Sequence, residues 1–237
     1  MAGAETLLRW NETSLRAGLG DFDGVDAGLQ TEAGITAMPA PIANFAGTSN
    51  VNGVLPPDTQ GDVGPNHYVQ WVNLAFTIYN KSGTVLYGPA NGNTIWSGFD
   101  TDCANNNDGD PITVYDYLAD RWMMSQFQVN STGNCYQCIA VSTTPDPTGS
   151  WYRYKYTWPN TLMNDYPHFG LWPDAYYMTA NQFVYSSGAW RGAGVAAYER
   201  AKMLTGATAQ MVYFTLYSVN SNYGGQLPAD MDGLTQP

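Results

Sequence analysis

Beyond residue 44 the chain breaks into short runs in which apolar and polar side chains alternate, separated by clusters of Gly, Pro, Asn and Asp. A period of two sends successive side chains to opposite faces of a strand, so the pattern predicts half-buried β-strands joined by tight turns. The runs come in sets of four. The first set has an opening run at Gly61-Asp62-Val63, strands over 68–73 and 76–80, a hairpin turn at Lys81-Ser82-Gly83 and a closing strand over 85–88. Residues 91–99 then form a loop with Trp96 as its apolar anchor. The second set is the clearest, with strands over 111–116, 121–128, 135–143 and 151–158. In its last strand Arg153 and Lys155 alternate with Tyr152, Tyr154 and Tyr156, and charges on an outermost strand discourage edge-to-edge pairing. The third set opens at Asp165 and continues over 175–183, 194–198 and 211–217, with a short helical turn over 199–204 ended by Gly206. Residues 1–45 keep no sustained period. Gly, Ala, Asp and Thr dominate there, which reads as a linker or N-terminal extension with one short helical stretch over 5–16.

Each set opens at an Asp: Asp62, Asp110 and Asp165. A unit of about fifty residues carrying four strands is the sequence form of a β-propeller blade, which buries its faces only against its neighbours. The expected fold is therefore all-β, a propeller of four-stranded antiparallel blades over 46–237, with blades at about 57–90, 110–158 and 165–217. Known propellers close with ~4 to 8 blades, so three lead to the expectation of a chain that continues past Pro237 or pairs with a second copy. Truncation would also account for the lack of a legible signal peptide.

Composition narrows the partners. The 17 Tyr, 8 Trp and 8 Phe, with only 12% charged residues, suit pleated surfaces and an extracellular module. A net charge of -11 repels nucleic acid, polyphosphate and anionic membranes, and no apolar run approaches the ~20 residues of a membrane span. Neutral sugars, cations or proteins remain. Three cysteines allow one disulfide, Cys103 with Cys138 or with Cys135, leaving one thiol; three reduced thiols are the other reading. Cys135 and Cys138 alone, without a second pair or a nearby His, make a poor zinc site.

At Thr144-Pro145-Asp146-Pro147-Thr148-Gly149-Ser150-Trp151 the turn resembles the Asp-box of sialidase-type propellers, with one extra residue between Asp and Gly. Together with Leu55-Pro56-Pro57-Asp58-Thr59-Gln60-Gly61-Asp62, Asn107-Asp108-Gly109-Asp110-Pro111 and Ala119-Asp120-Arg121-Trp122, it resembles a family of secreted bacterial propeller proteins that often carry immunoglobulin-like modules. The resemblance implies a secreted propeller over about 44–237. It brings no activity with it.

The chemistry lies in the acids. Asp62, Asp110 and Asp165 open inner strands, so either each caps its own turn or the three converge at the axis, where calcium, protonation or an Arg would have to relieve their repulsion. The loop from Asp100 to Asp110 is rich in oxygen ligands. Asp100, Asp102, Asp108 and Asp110 form a candidate calcium set, although Ala104 stands where an EF-hand would need its first acid. A glycosidase needs a raised-pKa acid beside a second carboxylate, and past the linker the only Glu is Glu199, which lowers that reading. His67 and His168 occupy comparable places in the first and third sets; His168 is the candidate base for a polysaccharide lyase. Trp96, Trp172 and Trp190 are candidates for stacking on sugar rings, and Arg121 for holding a polar ligand. The expected function is a secreted recognition module for polysaccharide or cell-surface protein. The alternative is a carbohydrate-active enzyme, a glycoside hydrolase, sialidase-like protein or polysaccharide lyase.

Overall fold

A computed structural model describes residues 40–231; the short helical stretch expected over 5–16 lies outside them. The described chain is all-β, three four-stranded antiparallel sheets with very little helix. Sheet 1 comprises β1 (Thr59–Val63), β2 (His67–Val72), β3 (Ala75–Asn80) and β4 (Val85–Asn91). Sheet 2 comprises β5 (Ile112–Asp116), β6 (Arg121–Val129), β7 (Cys135–Ser142) and β8 (Trp151–Thr157). Sheet 3 comprises β9 (Leu162–Leu171), β10 (Tyr176–Val184), β11 (Ala189–Tyr198) and β12 (Met211–Thr215). Each sheet is a meander in chain order.

The compact unit begins at Ile42, and Phe45 already packs on Tyr68 and Tyr79 of the first sheet. Sheet 2 follows the predicted boundaries to within a residue or two. In sheet 3, β9 starts at Leu162 and β11 at Ala189, both ahead of the expected positions. The first offset arises because Leu162, Met163 and Asn164 already pair with Val184, Phe183 and Gln182, and a bulge then follows. Asp165 pairs with Asn181 and His168 with Thr179, so Tyr166 and Pro167 together face a single residue of β10. The predicted turn over 199–204 contains a short helix, Arg200–Met203. The loop after β4 holds a 3-10 turn, Gly92–Trp96, and a second short helix, Thr101–Asn105, capped by Asp100, whose carboxylate accepts from the Asp102 and Cys103 N–H groups.

Sheet 2 is covered on both faces. Ile112, Met123, Ile139 and Val141 pack with Phe169, Leu171, Met178 and Tyr198 of sheet 3. On the opposite face Tyr115, Trp122, Met124 and Cys138 pack with Trp71, Phe76 and Ile78 of sheet 1. Double coverage is why all eight residues of β7 are buried, where a one-sided strand would alternate. The first strands of the three sheets are neighbours, β1 beside β5 and β5 beside β9. Asp side chains tie them together, since Asp62 Oδ2 accepts from Tyr115 N at 2.7 Å and Asp110 Oδ2 from Tyr166 N at 2.8 Å. A buried ion pair adds to the joint between sheets 2 and 3. Arg200 Nε and Nη2 grip Asp116 Oδ2 and Oδ1 at 2.6 and 2.9 Å, and the Tyr176 hydroxyl donates to Asp116 Oδ2. Removing either partner would strand a buried charge, at a cost of about 3–5 kcal/mol.

Candidate functional site

The starts of β1 and β5 and the bulge of β9 line a cavity of about 220 Å³, with Asp58, Gln60, Asp110, Tyr166 and His168 among its walls. Asp58 stands one residue ahead of β1 and Asp110 two ahead of β5, while Asp165 lies at the bulge of β9. The backbone is strained here. Asp58, Asp110 and Tyr166, together with the neighbouring Asn73, have φ of 37°, 44°, 52° and 41°, in the left-handed region that costs L residues energy. For Tyr166 this is a true outlier, held by its N–H bond to Asp110 and by the bulge. Gly109, with φ of 99°, is required by close approach, because a Cβ there would lie 2.3 Å from Asn73 Oδ1.

The electrostatics follow first from burial and then from the proximity of the acids to one another. Asp58 and Asp110 share a carboxyl–carboxylate hydrogen bond, and Asn73 Nδ2 donates to Asp58 Oδ2 at 2.7 Å. Burial raises the pKa of Asp58, and the repulsion and bond from Asp110 raise it further. Burial also raises Asp110, against the lowering effect of the Tyr166 N–H and the Asp58 bond. Asp165 is raised by burial first and by the charges of Asp110 and Asp58 second. Burial lowers His168, so its imidazole is neutral at pH 7. Its ring stands edge-on to Tyr166 at 4.3 Å, and Nε2 is buried without a partner among the described residues. The arrangement places two carboxyl groups of raised pKa, an amide and an imidazole in one polar cavity.

Of the residues singled out in the sequence, Asp110 and His168 line this cavity; Asp165 is outside the lining but close enough to feel the charges of Asp110 and Asp58, and Asp62 is not part of it. Asp62 accepts from Tyr115 N and Val63 N, and Asp58 occupies the place expected for it. The missed signal was distance to the strand start: Asp58 precedes β1 much as Asp110 precedes β5, whereas Asp62 lies inside β1. His67 is elsewhere, with Nε2 3.6 Å from Asp146 Oδ1 in the β7–β8 turn.

The calcium set is split. Lys155 Nζ bonds Asp100 Oδ2 at 2.7 Å and Asp102 Oδ2 at 2.8 Å, Asp108 Oδ2 accepts from Val129 N, and Asp110 faces the cavity. Among the described residues no group of three or more His, Cys, Asp and Glu is arranged to hold a metal ion. Trp96 is fully buried against the cores of sheets 1 and 2, so its face is closed to any ligand. Trp172 Nε1 donates to Ala229 O and Trp190 Nε1 to Ser221 O, both on sheet 3 and apart from the acids. Arg121 turns back on its own turn, with Nη1 bonding Ala119 O and Asp120 O. Of the cysteine alternatives, Cys103 pairs with Cys138 and Cys135 is a buried free thiol. No described helix is long and apolar enough to cross a membrane.

Comparison of the chain with known protein families, with curated proteins and with solved structures finds no match.

Proposed function

We propose that the three sheets are successive blades of a β-propeller and that the chain is a secreted module recognising neutral polysaccharide at the inner-strand cavity. The propeller reading is supported by three meanders with adjacent inner strands and by the burial of both faces of the middle sheet. Secretion is supported by the Cys103–Cys138 disulfide, which persists in oxidising compartments.

The observation that carries the ligand class is the Asp58–Asp110 pair. Paired carboxyl groups beside the Gln60 amide offer several acceptors and a donor, the complement of sugar hydroxyls, and a neutral ligand escapes the repulsion of a chain with net charge -11. A cavity of about 220 Å³ admits one sugar ring, whereas a protein partner would need a far broader face. Direct contact also weighs against these two acids as a glycosidase pair, whose carboxyl groups stand ~5–9.5 Å apart to leave room for the reaction.

A second reading, a carbohydrate-active enzyme, is favoured by Asp165. Its raised pKa near Asp110, with His168 lining the adjoining cavity, suits acid–base chemistry. Titration with neutral xylo-, cello- and malto-oligosaccharides, followed by NMR, separates the two. Recognition predicts saturable shifts at His168 and Tyr166, an affinity loss of about tenfold in Asp110→Asn, and no product. Released product that disappears in Asp165→Asn establishes the enzyme instead. Failure of all three sugar series to shift these residues ends the polysaccharide reading.

A further inference from the structure

A second cavity, of about 330 Å³, lies between β3–β4 of sheet 1 and the β7–β8 turn and β8 of sheet 2. Tyr87, 45% exposed, and half-buried Trp151 provide aromatic walls, and Thr94, Thr148, Ser150 and Arg153 provide the polar groups. In a chain of net charge -11 this lining contains a guanidinium and no carboxylate. The adjacent acid, Asp146, is engaged with the Thr148 N–H and hydroxyl and lies near His67.

The sequence explained Arg153 as protection for a sheet edge, but the side chain folds back over Phe99, and Nη1 donates to Ser97 O at 2.7 Å. That anchor fixes the guanidinium while leaving Nε and Nη2 without a partner among the described residues. The same two nitrogens of Arg200 form the fork that holds the Asp116 carboxylate. Arg153 therefore presents, beside an aromatic-walled groove, the edge that elsewhere in this molecule binds a carboxylate in bidentate fashion. The hydroxyls refine the ligand. Thr94 donates to Asn91 O and Thr148 to Asp146 Oδ1, so both turn oxygen lone pairs outward and suit a ligand rich in hydroxyl donors.

We propose that this groove binds a sugar ring bearing a carboxylate, a uronate residue of an acidic polysaccharide, with Arg153 on the carboxylate and Tyr87 or Trp151 against the ring. The proposal rests on the reading of the chain as a polysaccharide-recognition module and adds a second subsite of different charge preference. Within ~8 Å, the Debye length at physiological ionic strength, the local guanidinium acts on a ligand more strongly than remote acids do.

The test is calorimetric titration of the whole chain with tri-galacturonate and tri-glucuronate, each against its methyl ester, which removes the charge and keeps the ring. Saturable binding of at least one free acid, weakened about tenfold or more by esterification and by Arg153→Gln, is the expected result. Arg153→Lys keeps the charge but loses the fork and should also weaken binding; thermal unfolding of both variants reports whether the Ser97 anchor mattered to folding. Tyr87→Ala should cost a further several-fold, about the value of one aromatic contact. Esters that bind as well as the acids, or acids that ignore both Arg153 variants, overturn the carboxylate subsite and leave the neutral-sugar reading standing. No binding of either acid overturns it as well. The separate loss of neutral oligosaccharide binding at His168 and Tyr166 would show failure of the broader reading.

Discussion

Asp110 joins two sheets and lines the cavity with the same carboxyl group. Its oxygen accepts from Tyr166 N, and burial makes its ionised form costly, against the lowering effect of that N–H and of the Asp58 bond. A carboxyl group whose folded-state pKa lies above its unfolded value, ~4, contributes full stability only below that value and loses it as the pH rises through the folded value. Asn cannot ionise and can still accept the Tyr166 N–H. Asp110→Asn should therefore unfold like the wild type near pH 3 and become more stable by neutrality, by on the order of 1 kcal/mol at this partly exposed site. Urea unfolding at intervals from pH 3 to 7 measures the difference directly. A constant gap across that range would mean that burial does not hold Asp110 above its unfolded value. The Gly109-Asp110 turn made the position of Asp110, two residues ahead of β5, legible in the sequence, whereas Asp165 and His168 fall inside β9, which starts earlier than expected. Asp58 was hidden by the Gly61-Asp62 pair, which repeats the Gly109-Asp110 dipeptide but sits deeper in its strand, where it caps a neighbouring backbone.

Among the elements, the crossover from β4 to β5 departs furthest from its sequence reading. Its Asp and Asn residues suggested a cation loop, yet Lys155 neutralises Asp100 and Asp102, and the disulfide fixes the Thr101–Asn105 helix to β7. Strand alternation carries the pairing. Cys138 and Lys155 are partners across β7 and β8, whereas Cys135, three residues away from Cys138, points to the other face, into the core shared with sheet 3. The free thiol is thus shielded from the disulfide, and burial, helped by Asp108, pushes its pKa up to about 11. Alkylation at pH 8 should find no reactive thiol in the native protein and one in the urea-unfolded protein, read by mass spectrometry. Reducing the bridge across a sequence separation of 35 should cost about 4 kcal/mol if loop-closure entropy governs. Strand patterning located sheet 2 well because hairpin turns bound it closely. The bulge in β9 and the helix after Asp100 escaped, since an extra residue and a capped five-residue helix leave no period to read.

For the molecule as a whole, the alternation of side chains revealed three repeated sheets, but not how their faces were shared. An all-buried strand such as β7 carries no alternation, and the Asp116–Arg200 pair joins residues 84 apart in sequence. Sheet 2 is a filling between two outer layers, and that position has a dynamic consequence. Either outer sheet can separate while the middle one keeps one covered face, but exposing β6 or β7 on both sides requires all three to part. Amide protons of Met123, Met124, Ile139 and Ala140 should therefore exchange with solvent only through global unfolding, and those of β4 and β12 through smaller openings. Deuterium uptake that is equally slow in all three sheets would mean that the layers open only together.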